Sequence, residues 1–174
     1  MYVHRKPMAH ITSSRTVLDT KPAHVMAAFS SKGSSSVAPR ILKPDITAPC
    51  VSVIAAYTGA VSPTNEQFDA RCLMFNVVSG AYMSCPHISG ISGLLKTRYP
   101  SWSPAAIHYA IMTTATTMDD IPRIIQNSIY MKATSFSFGA GHVQPNLAVN
   151  PSLVYDSGRK YYLNFLCSLG YNES

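Results

Sequence analysis

The stretch Val77-Val78-Ser79-Gly80-Ala81-Tyr82-Met83-Ser84-Cys85-Pro86-His87 gathers a phenol, a primary hydroxyl, a thiol and an imidazole within six residues, Tyr82 to His87. Hydrolysis through a serine-type nucleophile needs a short alkoxide-forming side chain about 2.6–3.2 Å from an imidazole base, with oxyanion donors converging on the attacked carbonyl. Tyr82 fails that requirement on shape, because its oxygen stands several ångströms further from the backbone, across a rigid ring. Ser84 is no replacement, since two residues along an α-helix rotate a side chain by about 200°. An aryl ester on Tyr82 would also need a base, a carbonyl site and water activation, and the sequence supplies no such set.

The elements that must carry these groups can be read around them. Val51–Ala56 is a strand, preceded by the punctuation Lys43-Pro44-Asp45 and Ala48-Pro49-Cys50, and Cys72–Val78 is a second. Ser84–Lys96 reads as a helix with Ile88, Ile91, Leu94 and Leu95 on one face and Pro86 in the first turn, where its missing N–H is no loss. Gly90 and Gly93 each cost this helix about 1 kcal/mol of propensity, so close packing in a protein centre is their expected compensation. Ser103 as N-cap and Pro104 at the first helical position start a second helix that ends among Thr113–Thr117. Asp120–Lys132 reads as irregular, Phe136–Val143 as glycine-broken, and Lys160–Leu169 as a short closing helix whose Tyr161, Tyr162 and Phe165 form an apolar cluster. Met83 and Met112 read as core.

Composition bounds the class. With 174 residues, 47% apolar and 13% charged, the chain is globular and long enough for one hydrophobic core. Residues 1–40 form an irregular, basic, Ser/Pro-rich lead-in with Met8–Ile11 as its one candidate strand, and residues 41–174 form the organised unit. The net charge of +6 resides entirely in residues 1–44, scattered and without a recognition-helix, zinc-finger or stacking motif, which argues against nucleic acid. No apolar run reaches the roughly 20 residues of a membrane span, and the N-terminus lacks the apolar core of a secretory signal. Cys50, Cys72, Cys85 and Cys167 contain no CxxC pair and read as buried free thiols, so neither a metal site nor a cofactor is expected.

Four blocks then acquire a common meaning: Ile41–Pro49, Ser79–His87, Trp102–Ile107 with Met112–Ala115, and Phe138–Val143 through Leu153–Asp156. In order and spacing they resemble the plant subtilisin-like serine proteases, the cucumisin-type subtilases, and Ala27–Gly33 resembles a loop before the first block. The resemblance implies an α/β fold, a partial subtilisin-like domain with a mainly parallel sheet and flanking helices, whose catalytic serine opens a central helix. It also implies endopeptidase activity on secreted proteins. In that family the nucleophile block reads Gly-Thr-Ser-Met; here Gly80 and Met83 keep their positions and Pro86 and His87 follow, but Ala81 replaces the threonine and Tyr82 the serine. Cys50 replaces a glycine usual after the Ala-Pro pair.

The family's aspartate, histidine and oxyanion asparagine lie upstream of the matched blocks, and His87, His108 and His142 fall on positions outside the triad. The resemblance therefore implies the C-terminal part of a catalytic domain with no catalytic residue of its own, exposed sheet edges that invite self-association, and a residual cleft for peptide or protein. The alternatives are an inactive binding module and part of an active endopeptidase whose other groups lie outside this chain. The family is secreted or extracellular, whereas this chain shows no signal, and Asn172-Glu173-Ser174 fits an N-glycosylation acceptor.

Overall fold

A computed structural model describes residues 9–13, 15 and 17–171. Met8 of the candidate strand and the acceptor at 172–174 lie outside the described residues; residues 9–11 take no strand conformation. The element order is β1 (Val53–Ala56), β2 (Phe75–Val78), a 3-10 turn (Ala81–Met83), α1 (Ser84–Arg98), α2 (Pro104–Thr113), α3 (Ser135–Phe138), α4 (Pro145–Ala148) and α5 (Arg159–Ser168).

Among the described residues helix outweighs strand, and the one sheet has two antiparallel strands, which corrects the expectation of a mainly parallel sheet. Val53 pairs with Val78 and Ala56 with Phe75, and the Tyr57 N–H continues the ladder onto the Met74 carbonyl. A parallel pair needs a crossover, usually a helix, to bring the chain back to the same edge. Residues 57–74 contain no helix and simply fold back, so the second strand runs against the first. Among the described residues, parallel pairing survives only as single bridges, Val25 with Gln126 and Thr47 with His142.

Strand alternation puts Ile54 opposite Val77 on one face, and both are exposed; Val53, Ala55 and Val78 are half-buried on the other.

The main core lies where α1 and α2 meet residues 46–48 and 143–149, with Ala48, Leu95, Ile107, Ile111, Val143 and Ala148 buried. Met26 of the lead-in joins Ile125, Ala133 and Phe138 in a second cluster. Helix α2 follows its local code: Ser103 Oγ accepts the Ala106 N–H at 3.0 Å, Pro104 is the first helical residue, and Ala105, Ala106, Ile107, Ala110 and Ile111 form its buried face. Helix α1 ends one residue before Pro100 disallows continuation, where Lys96 Nζ donates to the Pro100 and Trp102 carbonyls at 2.8 Å each. The Tyr99 hydroxyl donates to the Val149 carbonyl at 2.6 Å and fixes that end against the segment after α4.

Several expectations for α1 are overturned. Only Leu95 is fully buried, Leu94 is 73% exposed, and nothing lies within 4 Å of a Cβ placed at Gly90 or Gly93. The helix rests on the core by one edge, through Ile88, Ile91 and Leu95, so its small residues face open space. Of the four cysteines, all are free, but Cys72, Cys85 and Cys167 are exposed rather than buried. In α5, Tyr161 joins Tyr155 and Tyr109 in a chain of edge-on rings, whereas Tyr162 remains 56% exposed and no residue of α5 is buried.

Glycine is indispensable at two places in the broken segment after α3. Gly139 has φ +65° and Gly141 φ +130°, and a Cβ would collide with the Pro44 carbonyl at the first and the Thr116 carbonyl at the second. Those close approaches let Ala140 N–H reach the Asp45 carbonyl and His142 N–H reach Thr116.

Candidate functional site

The 3-10 turn at residues 81–83 holds the position that the sequence marks as central. It is anchored at its start by Gly80 N–H donating to the Cys50 carbonyl at 2.9 Å and by Ser79 Oγ accepting the Ser52 N–H at 2.8 Å. Met83 is buried and closes the turn through its N–H to the Gly80 carbonyl. Tyr82 therefore precedes the α-helix rather than opening it, and α1 begins at Ser84.

The Tyr82 side chain is 64% exposed and folds back over its own loop. Its ring covers Gly80 so closely that a Cβ there would overlap the ring, and its hydroxyl donates to the Ser79 carbonyl at 3.4 Å. Ser84 points the other way and donates to the Ala48 carbonyl at 2.9 Å. His87 Nδ1 lies 2.8 Å from the Met83 carbonyl, a bond that places its proton on Nδ1 and ties the ring to its own helix. Among the described residues no hydrogen bond joins Tyr82 or Ser84 to an imidazole. Pro86 is exposed in the first turn of α1. The arrangement can hold a helix start in place; it lacks the hydroxyl-to-imidazole bond from which nucleophilic catalysis begins.

On the Ser84 side of the turn lies a cavity of about 900 Å³, whose walls include Met26, Thr47, Cys50, Ser84 and His142. His24 and His142 stack in its wall with ring centroids 3.5 Å apart and planes 6° from parallel. Burial holds the His142 imidazole down to about 4 from its usual 6.5, His24 adds repulsion, and the bond to the Val143 carbonyl partly opposes both. Burial likewise lowers His24, against the attraction of Asp120 and Asp119. This pair escaped the sequence reading, which placed His142 only outside the triad, in the glycine-broken segment beside Gly139 and Gly141. No local signal links two histidines so far apart in the chain.

His108 stands apart, with Nε2 3.7 Å from the Asp45 carboxylate, which also binds Lys43 Nζ at 2.6 Å. Among the described residues there is no grouping of three or more His, Cys, Asp or Glu able to hold a metal ion, and no helix long and apolar enough to cross a membrane.

The profile of the Subtilase family matches residues 9–141. Subtilisin-like protease SBT5.3 of Arabidopsis thaliana is 80% identical over 170 residues, which are 98% of this chain and 22% of that protein. Subtilisin-like protease SBT5.4 of the same plant is 52% identical over 98% of this chain and 22% of its own length. Subtilisin-like protease Glyma18g48580 of Glycine max is 53% identical over 94% of this chain and 21% of its own. The chain thus spans about a fifth of the length of these relatives, and it belongs to the subtilase family of serine proteases.

Proposed function

We propose that this chain is a catalytically silent portion of a subtilisin-like serine endopeptidase domain, with Tyr82 in the family's nucleophile position and Gly80, Met83, Pro86 and His87 preserving the frame around it. The observation that carries the reading is the direction of the Tyr82 side chain: it is outside α1, laid over Gly80 and bonded to Ser79, and among the described residues no hydrogen bond joins it to an imidazole. His87 Nδ1 is bonded to the Met83 carbonyl and the Ser84 hydroxyl to the Ala48 carbonyl, and among the described residues no hydrogen bond joins Tyr82 or Ser84 to an imidazole.

A fluorophosphonate probe, which labels only an activated serine, and casein turnover against a heat-treated control test this directly. No label and no turnover are expected from the chain or from Tyr82→Ser, since one restored member of a triad recovers little without its partners. Labelling of the unaltered chain at Ser84 would overturn the reading.

The cavity beside Ser84 supports a second reading, an inactive binding module that takes an extended peptide without cleaving it. Its wall combines apolar Met26 with the polar Thr47 and His142, the mixture that recognition clefts use. Saturable binding from a labelled peptide library, lost in Ser84→Leu, is the expected result under that reading; flat anisotropy across the library would remove it. Self-association through the edges of β1 and β2 belongs to either reading.

A further inference from the structure

A second concavity, of about 460 Å³, opens between α1 and α2. Its floor is the outer surface of the main core, Ile46, Ile88, Ile107 and Ile111, and Trp102 forms one wall, stacked on Tyr99 at 4.1 Å between centroids. Gly93 leaves the α1 wall open, because no atom lies within 4 Å of its missing Cβ. The volume is within the range that small-molecule ligands occupy, about 300–1,000 Å³.

Its polar fitting is Lys96. The ammonium is held by two carbonyls, Pro100 and Trp102, at 2.8 Å each, which leaves one of its three N–H donors free. Among the described residues no carboxylate lies within ion-pair distance of it. Asp45, on the side of the neighbouring His108, is already bound to Lys43. Lys96 is thus one of the residues lining an apolar trough, and among the described residues its ammonium has no carboxylate partner.

We propose that this groove binds a medium-chain aliphatic carboxylate, with the alkyl chain on the isoleucine floor and Trp102 and the carboxylate on the free N–H of Lys96. Charge selects the head group: an alkyl ammonium meets Lys96 with repulsion, and an alcohol gains only a neutral hydrogen bond, roughly half as strong as a charge-assisted one. The chain is selected by burial of apolar surface, which grows with each methylene covered.

Trp102 is the only tryptophan of the chain and therefore a built-in reporter. Titration of the full chain with decanoate below its micellar concentration, followed by Trp102 emission and calorimetry, should show saturable one-to-one binding. Octanoate should bind about tenfold more weakly, since two methylenes fewer are removed from water. Lys96→Met should weaken decanoate about tenfold while keeping an unbranched apolar stem. Gly93→Leu should fill the trough and abolish binding with far-UV circular dichroism unchanged. Equal affinities for decanoate, decanol and decyltrimethylammonium would overturn the proposal even if Lys96→Met failed to fold. Absence of saturable binding would overturn it too, leaving the groove as a surface that only another protein segment fills. None of these readouts depends on proteolysis, so they stand apart from the fate of the catalytic reading.

Discussion

His142 concentrates more of the molecule on one residue than any group near Tyr82. Its backbone N–H and carbonyl both bond to Thr116, the flanking Gly141 carbonyl accepts the Thr47 N–H, and its ring stacks on His24 of the lead-in. The imidazole resists protonation in this place: about 4 when folded against 6.5 when free. The unfolded chain therefore binds more protons between those values, and the contribution of His142 to stability is full above about pH 6.5 and lost as pH falls towards 4. His24 shifts in the same direction, while Asp119 and Asp120 partly offset it. Urea midpoints should decline across that window, and His142→Phe, which keeps a ring against His24 but cannot titrate, should flatten the decline; an equally steep profile in the variant would assign the acid sensitivity elsewhere. The sequence marked the stretch around Tyr82 as the candidate site, and the structure sets it at the turn before α1. Its direction was not legible, because a 3-10 turn and the ring's return over Gly80 depend on anchors at Cys50 and Ser52, far away in the chain.

Elements with a local code came out close to their reading. Helix α2 begins where Ser103 and Pro104 dictate, and Ser103→Ala should cost about 1 kcal/mol of stability, measurable by urea unfolding with Trp102 emission. That hydroxyl also donates to Asp156, so the loss should fall towards the upper end of the range for caps. Strand positions were legible too, but not their mutual direction, since pairing is decided by the path of residues 57–74 and not by the strands' own composition. Helix α1 shows the converse failure. Its apolar face and two glycines suggested close packing in a protein centre, yet only Leu95 is buried and Leu94 faces outwards. Gly90→Ala should therefore stabilise the chain by about 0.5–1 kcal/mol; a destabilised variant would reveal a neighbour at that face in solution.

At the scale of the whole molecule, apolar side chains outnumber the places to bury them. Ile54, Phe75 and Val77 on the hairpin, Leu94 on α1 and Leu163 on α5 are all at least 48% exposed. On the hairpin, the cross-strand partners Ile54 and Val77 share one exposed face, and exposed apolar patches mark interaction sites or association, while the outer edges of a two-stranded sheet offer backbone groups for pairing. Sedimentation velocity should show a weight-average coefficient that rises with protein concentration, and Ile54→Lys with Val77→Glu, an opposed charged pair on the exposed face, should suppress the rise without loss of helix signal. A concentration-independent monomer would show that these faces are not sticky in water.

The stretch from Thr58 to Cys72 is long, mostly exposed and free of helix and strand, with Phe68 at 86% exposure near its middle. The segments on either side of it are laced together elsewhere: Cys50 to Gly80, Ala48 to Ser84, Thr47 to both Gly141 and Val143, and Met26 to Gln126. Chymotrypsin in trace amounts should therefore cut beside Phe68 first. The two resulting pieces should travel through a gel-filtration column as one particle and part only in denaturant, so this protein would behave as a split pair whose halves reassemble when mixed.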